Sequence, residues 1–262
     1  MMTFKLKSFQ SILITGASSG LGRELALSYA APNTTLYLSG RNHDALKQLQ
    51  VECQHQGATV YYHVFDITDF NSLQSYIDSI NNSLDLIIAN AGASGGNRIS
   101  GEPESLTTIE TLINVNLKAP IHLTRLVLPK LIQQQYGHIV YVSSVQALRG
   151  FPHSPTYCAT KAGLKTYSEG LRGWLKPHKI KISIVYPGFI KTAMSDRLKC
   201  PKPLMISAPK AARYIKRKIA QNTAIIALPK LYYYGTRILD LMPIKWADWL
   251  LSLSKVDVPD PR

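Results

Sequence analysis

Short apolar runs alternate along the chain with longer stretches whose apolar positions recur every three or four residues. Seven runs have strand length: 11–15, 35–39, 59–65, 84–89, 138–143, 181–186 and 223–228. In Leu86-Ile87-Ile88-Ala89 and Ile139-Val140-Tyr141-Val142 successive residues are apolar rather than alternate ones. Side chains of a strand point to opposite faces in turn, so such runs imply burial on both faces. Between them, 23–30, 44–56, 70–80, 105–135 and 155–175 have helical spacing or good helix formers, with Pro120 and Pro129 as expected bends. Strands that alternate with helices predict an α/β fold: a doubly wound, parallel seven-stranded sheet with helices on both faces.

Length and composition narrow this to one domain, since 262 residues at 45% hydrophobic content can bury a single large core. Cys53, Cys158 and Cys200 form no paired motif, which suggests a reducing compartment. The run Ile12-Leu13-Ile14 that follows Lys5 and Lys7 is too short for the apolar region of a signal peptide, so a cytoplasmic location is expected. The net charge of +14 is uneven: residues 197–262 hold 13 Lys and Arg against 4 Asp, or +9. Either a solvated helix face or contact with an anionic surface accounts for it. No aromatic-interleaved basic groove accompanies the charge, and nucleic acid is not an expected partner.

The first strand runs into Thr15-Gly16-Ala17-Ser18-Ser19-Gly20-Leu21-Gly22, a glycine-rich turn that feeds a helix. Glycines allow positive φ and close approach of the backbone, and the helix start offers N–H groups and a positive dipole end to a phosphate. Tyr157 and Lys161 are four residues apart and would be adjacent on one helix face. An ammonium beside a phenol favours the phenolate, so the pair suits general acid/base work. Ser144, thirteen residues before Tyr157 at the end of a buried strand, could hold a carbonyl oxygen beside the tyrosine hydroxyl, with Ser143 as its rival. The seven histidines show no ligand spacing and no metal site is expected; only His153 lies near enough in sequence to meet a substrate.

The spacing Gly-x-x-x-Gly-x-Gly, together with Asp66, Asn90-Ala91-Gly92, Ser144, Tyr157-x-x-x-Lys161 and Pro187-Gly188 followed by Thr192, resembles the short-chain dehydrogenase/reductase family over residues 8–195. The resemblance implies a Rossmann-type fold and hydride transfer between a nicotinamide and a carbonyl or secondary alcohol, with tyrosine as the general acid/base. Ala89 stands where the family often has a second Asn. By the same resemblance Gly16, Ser18, Ser19, Gly20, Leu21 and Gly22 hold the pyrophosphate, Asp66 and Ile67 the adenine, and Asn90, Ala91 and Gly92 the adenosine ribose. Lys161 would meet the nicotinamide ribose, and Pro187, Gly188 and Thr192 the carboxamide end. Asn116 aligns with a residue that bends its helix and holds a water in a proton relay from Lys161, whereas Asn114 is expected to be structural. Gly40 occupies the place of the Asp found in NAD-preferring members, and Arg41 follows it, so NADP(H) is expected over NAD(H). A homo-oligomer is implied. The alternative to an enzyme is a regulator that senses NADP(H) without turnover.

Residues 193–212 correspond to the family's substrate lid, where Met194, Leu198, Leu204, Met205 and Ile206 suggest an apolar pocket wall and a lipophilic substrate. Beyond them, 231–254 reads as an amphipathic helical extension whose Trp246, Trp249, Leu250 and Leu253 fall at i, i+3, i+4 and i+7. Charges at Lys230, Arg237, Asp240, Lys245 and Asp248 exclude a membrane-spanning helix. Packing on the protomer or lid, subunit contact, and peripheral contact with a membrane interface are the three roles open to that stripe.

Overall fold

Each apolar run becomes a strand of one parallel sheet: β1 (Ser11–Thr15), β2 (Thr35–Gly40), β3 (Thr59–Val64), β4 (Leu86–Ala89), β5 (Gly137–Val142), β6 (Ile180–Pro187) and, after two short strands β7 (Ile190–Lys191) and β8 (Ile206–Ser207), β9 (Ile225–Leu228). The computed structural model describes residues 9–97, 102–253, 256, 258, 259 and 261. Strand order is β3-β2-β1-β4-β5-β6-β9, with β7 and β8 paired separately. The order reverses on the two sides of β1, as in a Rossmann-type fold, and such a switch point opens a crevice at the carboxyl ends of the strands. In register, Ile12, Leu13 and Ile14 of β1 face Leu86, Ile87 and Ile88 of β4. Every residue of β1, β4 and β5 is buried, as successive apolar positions require, whereas the edge strand β3 exposes most of its residues.

The helices are α1 (Gly20–Tyr29), α2 (His43–His55), α3 (Phe70–Asp78), α4 (Leu106–Ile113), α5 (Ala119–Gln134), α6 (Pro155–Trp174), the short α7 (Ala193–Asp196), α8 (Ala208–Ala220), α9 (Lys230–Leu241) and α10 (Ile244–Ser252). Period-two alternation sorts the core into two layers. Ile12 and Ile14 join Leu25 of α1, Leu46 of α2 and Ile215 of α8 on one face of the sheet. Leu13 joins Leu73 of α3, Val127 of α5 and Leu164 of α6 on the other, where Tyr232 and Tyr233 of α9 also pack.

The structure departs from the sequence reading at several points. The stretch 105–135 is two helices joined by a π-helical turn at Asn114–Lys118, and Pro120, in the first turn of α5, needs no bend there. Pro129 does lie inside α5. The helix α8 was not foreseen because its buried side is largely alanine, Ala208, Ala211 and Ala212, with Ile215 and Ile219, and its cations dominate the sequence. It also shortens the expected lid, since from Ala208 onward the chain belongs to the core.

Candidate active site

At the carboxyl ends of the strands a cavity of about 1240 Å³ opens. All of the expected catalytic and cofactor residues line it except Gly22 and Asn116. Its first wall is the glycine-rich turn. Gly16 and Gly20 have φ of 66° and 55°, in the left-handed region. A Cβ on Gly16 would lie 2.8 Å from the Ala91 Cα, so the turn closes only against a bare backbone. Gly22 lies behind this wall, where a Cβ would meet the Gly16 carbonyl oxygen at 2.2 Å, and it serves helix-to-turn packing rather than ligand contact. Asn90 locks the turn: its Nδ2 donates to the carbonyls of Thr15 and Gly16 at 3.0 and 3.1 Å. The N–H groups of Asn90 and Ala91 both donate to Thr15 Oγ1 at 3.1 Å. Ser19, at the N-cap of α1, makes no side-chain capping bond, and no acid stands in the first turn. These features fit a pyrophosphate.

The end of β2 shapes the next part of the wall. A Cβ on Gly40 would lie 2.9 Å from Ser18 Oγ, so a larger residue there would push against the turn. Arg41 is well exposed and its Nη1 lies 3.7 Å from Asp66 Oδ2. Asp66 Oδ1 accepts hydrogen bonds from the Thr68 N–H at 2.9 Å and Thr68 Oγ1 at 2.6 Å. Burial pushes the Asp66 carboxyl up, but the Thr68 bonds and then Arg41 outweigh it and hold it below the ordinary carboxylate range.

Chemistry centres on α6. Lys161 and Ser144 are buried, and Ser144 lines the cavity together with Tyr157. Ser143 is committed elsewhere, because its Oγ donates to the Lys161 carbonyl at 3.1 Å. Lys161 Nζ donates to the Val142 carbonyl at 3.1 Å and lies 5.7 Å from the centre of the Tyr157 ring. Without the cofactor, burial pushes Tyr157 up to about 12, against a lowering by Ser144. Burial also pushes Lys161 down to about 8. Desolvation disfavours both charged forms.

Asn116 sits in the π turn with its side-chain amide bonded to both backbone groups of one residue, and Nδ2 also donates to Thr160 Oγ1 at 3.4 Å. The Ala93 N–H donates to Asn116 Oδ1, and Asn116 Nδ2 donates to the Ala93 carbonyl, both at 2.9 Å. It therefore fixes the segment after β4 beside Lys161.

Past Tyr157 the wall becomes apolar, with Phe151, Met194, Leu198, Tyr232 and Val258. Leu204, Met205 and Ile206, expected there, do not line it; Ile206 belongs to β8 and packs on the core. His153 does line it, and burial lowers its pKa. Several contributors escape sequence reasoning because their contacts are non-local. Tyr232 lies against Gly188, where a Cβ would come within 2.3 Å of its ring, and its hydroxyl donates to the Pro203 carbonyl. Glu104 Oε2 accepts from the Thr156 N–H at 3.3 Å and from Thr156 Oγ1, capping the helix that carries Tyr157. Gly96 leaves room for the tail, since its Cβ would stand 3.0 Å from Val258 Cβ.

A model of the short chain dehydrogenase family matches residues 10–202. An uncharacterized oxidoreductase of Myxococcus xanthus (strain DK1622) is 30% identical over 239 residues, covering 90% of this chain and 94% of that protein. Human epidermal retinol dehydrogenase 2 is 32% identical over 260 residues, covering 94% and 84%. Dehydrogenase/reductase SDR family member 7B of Xenopus tropicalis is 33% identical over 193 residues; the match covers 70% of this chain and 62% of that longer protein. Among solved structures, a short chain dehydrogenase/reductase from Burkholderia phymatum in complex with NAD superposes with a TM-score of 0.78 at 22% identity, covering 90% of this chain and 94% of that one. At that identity the likeness speaks for the fold alone.

Proposed function

This chain belongs to the short-chain dehydrogenase/reductase family of oxidoreductases, and on that premise we propose that it is an NADP(H)-dependent enzyme interconverting an apolar carbonyl compound and the corresponding alcohol. One observation carries the reading: Ser144, Tyr157 and Lys161 line the same cavity as a bare-backbone glycine turn. The turn, with Ser18, Ser19 and Leu21, would hold the pyrophosphate; Asp66 and Ile67 the adenine; Asn90, Ala91 and Gly92 the adenosine ribose. Lys161 would take the nicotinamide ribose, and Pro187, Gly188 and Thr192 the carboxamide end. The cofactor, when bound, supplies or accepts the hydride.

The remaining steps fall to the chain's own groups. Ser144 Oγ holds the substrate oxygen beside Tyr157. In reduction, Tyr157, kept protonated through the neutral range by burial, donates its hydroxyl proton to that oxygen. In oxidation the proton moves the other way, from alcohol to Tyr157. Lys161 is the charge that favours the phenolate in that direction, and Asn116 holds the segment through Ala93 that faces it.

Preference for NADP(H) is supported by the absence of a carboxylate at Gly40 and by Arg41 at the rim, whose ion pair with Asp66 is long enough to yield to a 2′-phosphate. A lipophilic substrate is supported by the apolar wall and by a relative that is a retinol dehydrogenase, retinol being an apolar alcohol. A homo-oligomeric assembly follows from the same family premise. Mixing the protein with NADPH or NADH and ketones and aldehydes of increasing apolar length tests the proposal. Loss of the nicotinamide absorbance should be faster with NADPH and with the longer compounds. Cofactor binding with no loss across the panel would overturn it in favour of a sensor.

A further inference from the structure

The C-terminal helices turn one side to the cavity and the other to solvent. On α9, Tyr232 and Thr236 line the cavity, while Leu231, Tyr234, Ile238 and Leu241 are 59–82% exposed. Their spacing of three, four and three residues places them on one side of the helix. On α10, Ala247 and Leu251 are buried, and the ion pair of Arg149 Nη2 with Asp248 Oδ1 at 2.9 Å ties the helix to the loop after Ser144. The stripe read from the sequence faces outward: Trp246, Trp249 and Leu253 are each at least 60% exposed, with Leu250 at 38% and Ile244 at 70%. Leu253 also reaches the cavity mouth. Packing on the protomer's core is therefore ruled out for this stripe.

Charge decides what covers the face. The dense basic run of α8 does not serve it, because α8 packs on the opposite side of the sheet from α9 and turns Lys216 back onto the Ser28 carbonyl at 2.5 Å. The local cations do: Lys230 and Arg237 adjoin the exposed arc of α9, and Lys245 adjoins that of α10. Of the two nearby acids, Asp240 lies about 100° around α9 from the arc's edge, and Asp248 is held by Arg149. A second copy related by a two-fold axis would set these cations against themselves. An anionic lipid surface complements them, and indole rings with an apolar body and a polar N–H suit the headgroup boundary.

We propose that the outer face of α9 and α10 docks on an anionic lipid surface, so that the cavity mouth at Leu253 exchanges its apolar substrate with the bilayer. Only the exchange rests on the proposed oxidoreductase reading; the docking is read without turnover. Among the described residues no helix is long and apolar enough to cross a membrane, which makes the contact interfacial.

The test is co-sedimentation of the whole protein with phosphatidylserine/phosphatidylcholine vesicles and with phosphatidylcholine alone, at low and high salt, beside light scattering without lipid. Wild type should bind the anionic vesicles and lose most of that binding at high salt. Trp246→Ser/Trp249→Ser should weaken binding about ten-fold or more with NADPH affinity unchanged. Lys230→Gln/Lys245→Gln, confined to exposed positions, should weaken it and flatten the salt dependence. The proposal is overturned if wild type ignores anionic vesicles at low salt, or if neither double variant weakens binding. A wild-type dimer that the tryptophan changes dissociate, without vesicle binding, would overturn it in favour of a second copy.

Discussion

At the residue scale, burial sets the behaviour of the two central groups. Lys161 is held at about 8 in the folded chain against an ordinary 10.5. Between those values the unfolded chain binds a proton that the folded chain does not, so stability rises with pH across that window. Below about 8 both states are protonated and the folded state carries the full cost of a buried ammonium. Urea unfolding of the cofactor-free protein should therefore show wild type gaining on Lys161→Met from pH 8 toward 10.5, and a flat or falling difference would mean that the ammonium is solvated. Arg41 supports a second expectation. If, as proposed, the exposed Arg41 guanidinium at the cavity rim takes a 2′-phosphate, Arg41→Ala should weaken NADPH by about ten-fold or more while leaving NADH nearly unchanged. Equal weakening of the two, in fluorescence titrations, would remove the arginine from the cofactor site.

At the scale of elements, the site depends on a helix that changes its own period. The π turn at Asn114–Lys118 turns Asn116 inward, where it is 1% exposed and pairs with both backbone groups of Ala93. Removing the amide strands a buried donor and acceptor, at a cost of about 1–3 kcal/mol. Asn116→Ala should accordingly lower the melting temperature and weaken cofactor binding together; an unchanged melt would show that the segment after β4 holds without it. Elements with strong periods were legible in advance. The seven strands were read within about two residues because runs such as 86–89 are continuously apolar, too short for a helix and bounded by polar residues such as Asp85 and Asn90. The π turn was not, since Asn114-Val115-Asn116 fits α spacing equally well and only the contact with Ala93, 23 residues away, selects it. Likewise α8 hid behind its cations, because alanine burial leaves little hydrophobic signal.

Across the whole molecule, the sheet gathers residues from distant parts of the chain at one end of the strands, and this is why local motifs could name the site before its shape was known. Gly16, Asn90 and Ser144 follow strands, Pro187 ends one, Tyr157 stands in the first turn of α6, and all line one cavity. What the sequence leaves out is set by tertiary packing: the capping of α6 by Glu104, the wedge of Tyr232 on Gly188, and the passage of Val258 across Gly96. The phenol's upward shift belongs to the same class, because desolvation depends on what surrounds the group rather than on its neighbour four residues away. The claim that unites the account is that the Tyr157 hydroxyl moves the proton in a cofactor-dependent carbonyl reduction. Single-turnover reaction of an NADPH-loaded protein with an apolar ketone, wild type beside Tyr157→Phe, tests it most directly. Loss of one oxygen should slow the variant by about 10²-fold or more, with NADPH affinity preserved, whereas a variant that turns over at the wild-type rate would contradict the assignment.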